Sequence, residues 1–389
     1  MARSLASNAL TLLIPVLVIV AGVLYWGQTE YRGPGPLAEA MCVQVPSGST
    51  VQALSERLVE EGAIRNASIF RLGADYSELS DDLKAGSFVV QPGASMEEIL
   101  VAVTSSGRST CGTEVNYRIG VTSADVVIRD LDPQTQRYTE IARFAPSEDA
   151  APDAYARVKQ ATGTRYRVTL AEGVTSWQVL ESLKALDILE GEVAELPPEG
   201  SLAPDSYEVR PGTARSELVA SMASRQDTIL SDLWATRAPD LPIETPDEAL
   251  ILASIVEKET ALAEERPTVA AVFVNRLNEN MRLQTDPTVI YGITEGQGTL
   301  GRGLRRSELR AATPWNTYVI LGLPPTPIAN PGRESIAAAL NPDGSDYLFF
   351  VADGDGGHAF ARTLQEHNEN VARWREIEAQ RAQESTVTE

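Results

Sequence analysis

The sequence is poor in the residues that build metal and redox centres. Its 389 residues include two cysteines, Cys42 and Cys111, and two histidines, His358 and His367. Zinc and iron–sulfur sites normally need three or four such ligands held close together, so we expect neither a metal site nor a cofactor. The two cysteines either form one disulfide outside the cytoplasm or remain free thiols.

Basic residues are also scarce. Lys and Arg number 33 against 54 Asp and Glu, which gives a formal net charge of −21. Proteins that bind nucleic acid need a basic surface to neutralise phosphates. The composition therefore argues against DNA or RNA as a partner.

Charged residues are absent from Ala9 to Trp26, a run rich in Leu, Val and Ile. Its 18 residues just reach the span of a bilayer core, and Tyr25-Trp26 lies where an interfacial aromatic belt would be. A cleaved signal peptide is the alternative, but the nearest small-residue cleavage site, Ala38-Glu39-Ala40, lies well beyond the apolar end. We therefore predict an uncleaved anchor with the N-terminus in the cytoplasm.

A strand–glycine turn–helix pattern recurs along the chain. Its irregular spacing excludes a solenoid and favours small α+β modules that each bury one helix on a short sheet. The helices are predicted to begin at capping boxes. These boxes pair Ser49 with Gln52, Ser95 with Glu98, and Thr175 with Gln178. The copies begin near residues 43, 88, 166 and 207.

The segment between the second and third copies predicts a hairpin. Two strand-like runs, Val126–Ile128 and Tyr138–Ile141, flank the turn sequence Leu131–Thr135. Pro146–Ala156 is mostly small or polar, which is typical of an exposed loop.

A helix is predicted to begin at Pro246, because Thr245 and Glu248 form a capping box around it. Ile251 and Ile255 mark one apolar stripe along this helix. The stripe indicates the face that packs on the core.

Glu259 follows Ile255 by four residues and continues the apolar stripe, whereas Glu257 and Lys258 point to other faces. A carboxyl group on an apolar face has a raised pKa, because desolvation disfavours its charged form. A neutral carboxyl is what a general acid needs. The alternative is a helix that ends at Glu259 and leaves the side chain in solvent.

A series of sequence blocks covers about residues 247–370. The blocks are Ala253–Thr260, Val274–Leu277, Met281–Gly292, Asn316–Tyr318, Gly322–Pro325, Phe350–Gly354, Gly356–His358 and Glu366–Asn368. Together they resemble the YceG-like family of endolytic murein transglycosylases and follow the family's order; several long blocks in order are far more specific than one motif. The first two strand–turn–helix copies more loosely resemble the family's LysM-like subdomain.

The resemblance implies a membrane-anchored lyase that cuts peptidoglycan between N-acetylmuramic acid and N-acetylglucosamine within the strand, leaving 1,6-anhydro ends. The family's catalytic glutamate falls on Glu259. A hydrolase would need a second carboxylate, for which Asp286 and Asp353 are candidates. A non-catalytic peptidoglycan-binding protein is a further alternative, although the intact Glu-Lys-Glu-Thr motif argues against it.

Six residues are predicted to bind substrate, with hydrogen bonds that fix loops as the alternative. Asp286 before Pro287 is most simply interpreted as forming an Asx turn, and His358 could instead orient Glu259. The basic cluster from Arg302 to Arg310 either receives carboxylates of the stem peptides or is a solvated helix face. The six residues are Gln284, Thr285, Asp286, Asn316, Tyr318 and His358.

The predicted fold class is α+β, with a membrane anchor, LysM-like α+β modules and an α+β catalytic domain. Expected partners are peptidoglycan strands, the inner membrane and, as candidates, peptidoglycan synthases. The predicted segments are a cytoplasmic N-terminus (1–8), a transmembrane helix (9–27), a linker (28–42), a LysM-like module (43–107), an insertion with a hairpin (108–165), a central segment (166–235), a catalytic domain (236–376) and a disordered tail (377–389).

Overall fold

The computed structural model describes residues 2–105, 110–161 and 163–387, which fold as a mixture of helix and sheet. The helices are α1 (Ala2–Arg32), α2 (Val51–Glu60), α3 (Ala67–Tyr76), α4 (Met96–Ser105), α5 (Asp153–Gln160), α6 (Ser176–Lys184), α7 (Arg215–Ala235), α8 (Pro246–Glu259), α9 (Arg266–Asn278), α10 (Asp286–Thr294), α11 (Arg333–Leu340) and α12 (Leu364–Val387). The strands are β1 (Met41–Val45), β2 (Gly86–Val90), β3 (Thr113–Ile119), β4 (Ala124–Asp132), β5 (Arg137–Phe144), β6 (Arg165–Leu170), β7 (Leu189–Glu190), β8 (Ser206–Val209), β9 (Thr213–Ala214), β10 (Phe349–Ala352) and β11 (His358–Ala361). The predicted α+β class is confirmed.

Five strands form a sheet in the order β5-β4-β3-β6-β8, in which β4 and β5 are the predicted hairpin. Three two-stranded sheets accompany it. They are the antiparallel pairs β1-β2 and β10-β11 and the parallel pair β7-β9.

The chain divides into two compact units. The first comprises Met1–Asn116, Val127–Phe144 and Ala150–Tyr166. Its core packs α2, α3 and α4 around Phe88 of β2. The structure joins Cys42 and Cys111 of this unit in a disulfide, with a Cα–Cα distance of 5.7 Å.

The second unit comprises Tyr117–Val126, Ala145–Asp149 and Arg167–Glu389. Its core gathers around α8, on which every residue from Ala249 to Val256 is buried. A helix that is apolar around its whole circumference is buried on all sides. The single apolar stripe predicted for α8 is therefore wrong.

The helix caps predicted from the sequence can be compared with the caps in the structure. The capping boxes at Thr175, Thr245 and Ser95 are confirmed. At α2 the cap is Thr50, which accepts from the Ala53 N–H, rather than Ser49. Thr50 directly precedes the first helical residue, so its hydroxyl is the one within reach.

Two segments predicted to be irregular contain helix. The sequence predicts an exposed loop over Pro146–Ala156, but α5 starts within it, and its buried Tyr155 packs edge-on against Phe144 with ring centroids 5.2 Å apart. The tail predicted to be disordered from residue 377 continues α12 as far as Val387.

Helix α1 extends from Ala2 to Arg32 and includes the predicted anchor. Ile14–Arg32 is long and apolar enough to cross a membrane, and it is not buried in the protein. Large apolar side chains such as Leu24 and Trp26 are more than half exposed. Tyr31, near the C-terminal end of α1, packs on the core of the first unit.

Candidate active site

Glu259 is the last residue of α8 and keeps partial exposure. Thr285 lies just before α10 and is almost fully buried. Its hydroxyl donates to Glu259 Oε1. The structure therefore brings together a glutamate and a threonine that the sequence separates by 26 residues.

Burial raises the pKa of Glu259, and it is the largest influence on this group. The Thr285 hydroxyl and the charges of His358 and Arg276 oppose the rise, whereas Asp286 adds to it. The environment as a whole favours the neutral carboxyl, which is the form required of a general acid.

Buried threonines hold Thr285 in place. The Thr285 N–H donates to Thr317 Oγ1 at 3.1 Å. Thr288 Oγ1 donates to the Thr285 carbonyl at 2.8 Å and is itself 2.8 Å from Thr317 Oγ1. This network fixes the hydroxyl that faces Glu259.

Asn275 and Arg276, two neighbouring residues of α9, build the framework of the site. Asn275 Nδ2 donates to the carbonyls of Ser345 and Tyr347 at 2.8 and 2.9 Å. Arg276 Nε donates to the Leu348 carbonyl at 2.7 Å, and its Nη1 donates to Leu283. Helix α9 thereby ties the strand β10 to the chain that leads into Thr285.

His358 begins β11 and is paired with Glu265. Its Nδ1 lies 2.7 Å from Glu265 Oε2, and its backbone N–H donates to Glu265 Oε1 at 2.8 Å. The ring also packs edge-on against Phe350, with centroids 5.1 Å apart. A carboxylate on one imidazole nitrogen fixes the tautomer and the orientation of the ring.

Glu265 was not predicted from the sequence. It looked like an ordinary acidic residue before a helix. A Cβ on Gly357 would lie 2.6 Å from Glu265 Oε1, so a larger residue at position 357 would force the Glu265 carboxylate to shift.

Asp286 and Tyr318 form a second pair, in which the Tyr318 hydroxyl donates to Asp286 Oδ1 at 2.7 Å. Asp286 is the first residue of α10. Its carboxylate raises the pKa of Glu259. Asp353, the other candidate second carboxylate, accepts from the N–H groups of Asp355 and Gly357 and so forms a turn.

Two predicted substrate ligands have different surroundings. Asn316 is fully buried; its Nδ2 donates to the carbonyls of Glu308 and Ala311, and its Oδ1 accepts from the Tyr318 N–H. These contacts favour the loop-fixing alternative. Gln284 is exposed beside the site, with a φ of 49° and its N–H bonded to the Thr317 carbonyl at 3.2 Å.

Glu257 points to a different face of α8 from Glu259, as predicted, but this face is buried and does not meet solvent. Its side chain is 6% exposed, Oε2 accepts from the Gly332 N–H at 2.9 Å, and Oε1 lies 4.0 Å from Arg266. Because α8 is buried on all sides, each residue of its last turn meets a different neighbour.

The two histidines have protein partners: His358 pairs with Glu265, and His367 stacks on Phe349 with centroids 5.3 Å apart. Over the part of the chain that the structure describes, no three His, Cys, Asp or Glu side chains converge to hold a metal ion.

The comparisons with known proteins agree on a family. The chain matches the YceG-like family over residues 43–144 and 143–373. It is 30% identical over 338 residues to an endolytic murein transglycosylase from Streptococcus pneumoniae strain D39, which covers 85% of this chain and 57% of that protein. The chain thus spans little more than half of the length of that relative.

Two further proteins are similar. An endolytic murein transglycosylase from Bacillus subtilis strain 168 is 28% identical over 84% of this chain and 82% of its own. A crystal structure of a yceG-like protein from Listeria monocytogenes matches with a TM-score of 0.46 and 24% identity, over 85% of this chain and 98% of that one. The family match extends over most of the sequence, and the chain belongs to the YceG-like family.

Proposed function

We propose that this protein is an endolytic murein transglycosylase, a lyase that cleaves peptidoglycan within its glycan strands. The observation that carries the proposal is Glu259, a partly buried carboxyl with a raised pKa and one oxygen bonded to Thr285. The names of the relatives support the same activity. The catalytic domain is proposed to span residues 236–376.

Glu259 acts twice in the proposed mechanism. Thr285 occupies Oε1, which leaves Oε2 to carry the proton to be transferred. The neutral carboxyl protonates the glycosidic oxygen as the bond to C1 of the muramic residue breaks. The resulting carboxylate then takes the proton of the C6 hydroxyl, whose oxygen closes on C1 to form the 1,6-anhydro ring. One residue thus serves as acid and then as base.

Hydrolysis is the second candidate, because Asp286 lies close enough to influence Glu259 electrostatically. A hydrolase uses a second carboxylate as nucleophile or to activate water. Hydrolysis would leave reducing muramic ends instead of anhydro ends, so the mass of the products separates the two reactions.

The test is digestion of purified sacculi followed by mass analysis of the released fragments. The wild type is expected to produce internal cuts with anhydromuramic ends. Glu259→Gln keeps the shape of the side chain but removes the transferable proton, so the rate should fall by about 10²–10⁴-fold. Glu264→Gln, an exposed neighbour, is the matched control. Reducing ends, or undiminished activity of Glu259→Gln, would contradict the proposal.

We also propose that the N-terminal unit binds glycan through a LysM-like module over residues 43–107. A cavity of about 600 Å³ is lined by the turn Pro46–Thr50 and by Arg71, Asp75 and Asp81. Polar side chains around a depression suit a sugar with many hydroxyl groups. Arg71→Ala should weaken sedimentation of the protein with sacculi, and unchanged sedimentation would argue against this module as the glycan contact.

The proposed location is the inner membrane, with the bulk of the chain in the periplasm. The support is the unburied apolar helix Ile14–Arg32. Protease added to spheroplasts should degrade most of the protein, whereas full protection would contradict this orientation.

A further inference from the structure

A cavity of about 330 Å³ in the second unit shares two helices with the candidate active site. From α8 it takes Lys258, the residue immediately before Glu259. From α10, which begins at Asp286, it takes Pro287, Ile290 and Tyr291. The volume lies within the range of small-molecule sites.

The charge of this cavity is opposite to that of the chain. The charged side chains among the described residues that line it are Lys258 and Arg302, both basic, in a protein of net charge −21. Arg302 already bonds to Glu308 at 2.9 Å and is partly exposed. Arg302 is thus already paired with a carboxylate, so Lys258 is the better candidate to bind an anion in this cavity.

Lys258 uses one of its three donors on the protein. Its Nζ donates to the Gly173 carbonyl at 3.2 Å, which is its hydrogen bond among the described residues. Burial lowers the pKa of this ammonium group, while the charges of Glu257 and Glu199 oppose the shift. A cation withdrawn from water in this way gains from a further anionic partner.

The two nearby carboxylates are held by other groups. Glu257 Oε2 accepts from the Gly332 N–H at 2.9 Å. Glu199 accepts from the Ser176 N–H at 2.8 Å and from the Tyr291 hydroxyl at 3.2 Å. Neither hydrogen-bonds to Lys258, so the remaining donors of the ammonium group are free to bind a ligand.

We propose that this cavity binds a free carboxylate of the peptide carried by the muramic residue, with Lys258 as its main ligand. This inference rests on the proposed function, since it assigns part of the same substrate. The apolar side chains of Ile290, Leu300 and Ile328 receive the carbon atoms of the peptide, and Arg302 adds positive charge at the cavity wall. The enzyme thereby selects strands that still bear peptides.

The test compares three glycan substrates of the same length distribution. One bears peptides with free carboxylates, one bears the same peptides after conversion of the carboxylates to amides, and one has had its peptides removed. A hydrogen bond to a charged group corresponds to roughly ten- to a hundredfold in kcat/KM. The wild type should favour the first substrate over the other two by about that factor.

Lys258→Met removes the charge with little change in length, and the preference for free carboxylates should fall towards one. Lys184→Met is the matched control, because Lys184 is exposed and paired with Glu181 at 2.6 Å; it should keep the wild-type preference. Circular dichroism checks the fold of each variant. If Lys258→Met does not fold, the test instead compares Arg302→Gln with Arg305→Gln. Arg302→Gln should lose part of the preference for free carboxylates, and Arg305→Gln should keep it.

The possible failures are distinguishable. Equal rates of the wild type on all three substrates, or an unchanged preference in a folded Lys258→Met, would overturn the carboxylate site and leave the proposed function intact. Absence of cleavage of every substrate by the wild type would instead overturn the proposed function.

Discussion

At the scale of single residues, Glu259 shows how opposing influences set the state of one carboxyl. Burial raises its pKa more strongly than the Thr285 hydroxyl lowers it. Arg276 supplies positive charge that would stabilise the carboxylate formed in the proposed reaction. The site therefore favours the neutral acid before proton transfer and limits the cost of its anion afterwards.

The raised pKa of Glu259 makes a prediction about stability. The neutral Glu259 carboxyl is compatible with its buried site. The stability that this gives the folded protein is fully present below the pKa of the unfolded state and is lost as the pH rises through the higher pKa of the folded state. Gln at position 259 cannot ionise, so Glu259→Gln should raise Tm relative to the wild type at about pH 8 and much less at about pH 4. Thermal unfolding of both proteins at the two pH values measures the difference in Tm, with Glu264→Gln as control. A lower Tm for Glu259→Gln at the higher pH would contradict the assignment.

Glu265 is predicted to be a positioning residue that acts through His358. Glu265→Gln should mix the imidazole tautomers and lower kcat/KM by about tenfold, because a charge-assisted hydrogen bond is lost. The two histidines of the chain make the nitrogen NMR spectrum simple to assign. An unchanged tautomer together with unchanged kcat/KM would rule out this role.

At the scale of elements, the last turn of α8 is where several segments of the second unit meet. Glu257 contacts Gly332 and Arg266, Lys258 contacts Gly173, and Glu259 contacts Thr285. Consecutive residues of a helix point about 100° apart, so three neighbours on three sides are possible only for a buried helix. Glu257 is for this reason unsuitable as a neutral control for Glu259.

Asn330 links the segment after β6 to the loop before α11. Its Nδ2 donates to the Val174 carbonyl at 2.9 Å, and its Oδ1 accepts from the Leu202 N–H at 2.8 Å. Asn330→Ala should lower the free energy of unfolding by about 1–3 kcal/mol, because buried backbone groups lose their partners. Urea denaturation followed by tryptophan fluorescence measures this. Exposed Asn278→Ala should have little effect, and equal effects would remove Asn330 from this role.

At the scale of the whole molecule, the chain combines a net charge of −21 with one long apolar helix. The charge favours solubility and disfavours acidic polymers in general. The proposed binding of peptide carboxylates therefore relies on local basic groups such as Lys258. The first unit has a small core that buries limited surface on folding, so the disulfide adds stability to this unit.

The Cys42–Cys111 disulfide closes a loop over a sequence separation of 69 residues. Replacing both cysteines by serine should lower the free energy of unfolding by about 4 kcal/mol, because the unfolded chain regains the entropy of the open loop. Urea denaturation measures the loss, and alkylation before and after reduction establishes the redox state. Two thiols that alkylate without reductant would contradict the bond in the native protein.

The sequence by itself determined what depends on neighbours along the chain. Capping boxes at Thr175 and Thr245, the β4-β5 hairpin and the apolar run of α1 follow from local hydrogen bonding and composition. The position of Glu259 also came from the sequence, although the stripe argument used for it was wrong for a helix buried on all sides. The tertiary structure alone decided which partners these residues meet. Thr285 against Glu259, Glu265 against His358, and Lys258 at a basic cavity involve contacts between segments that no periodicity can reveal, because helix packing and not sequence spacing brings them together.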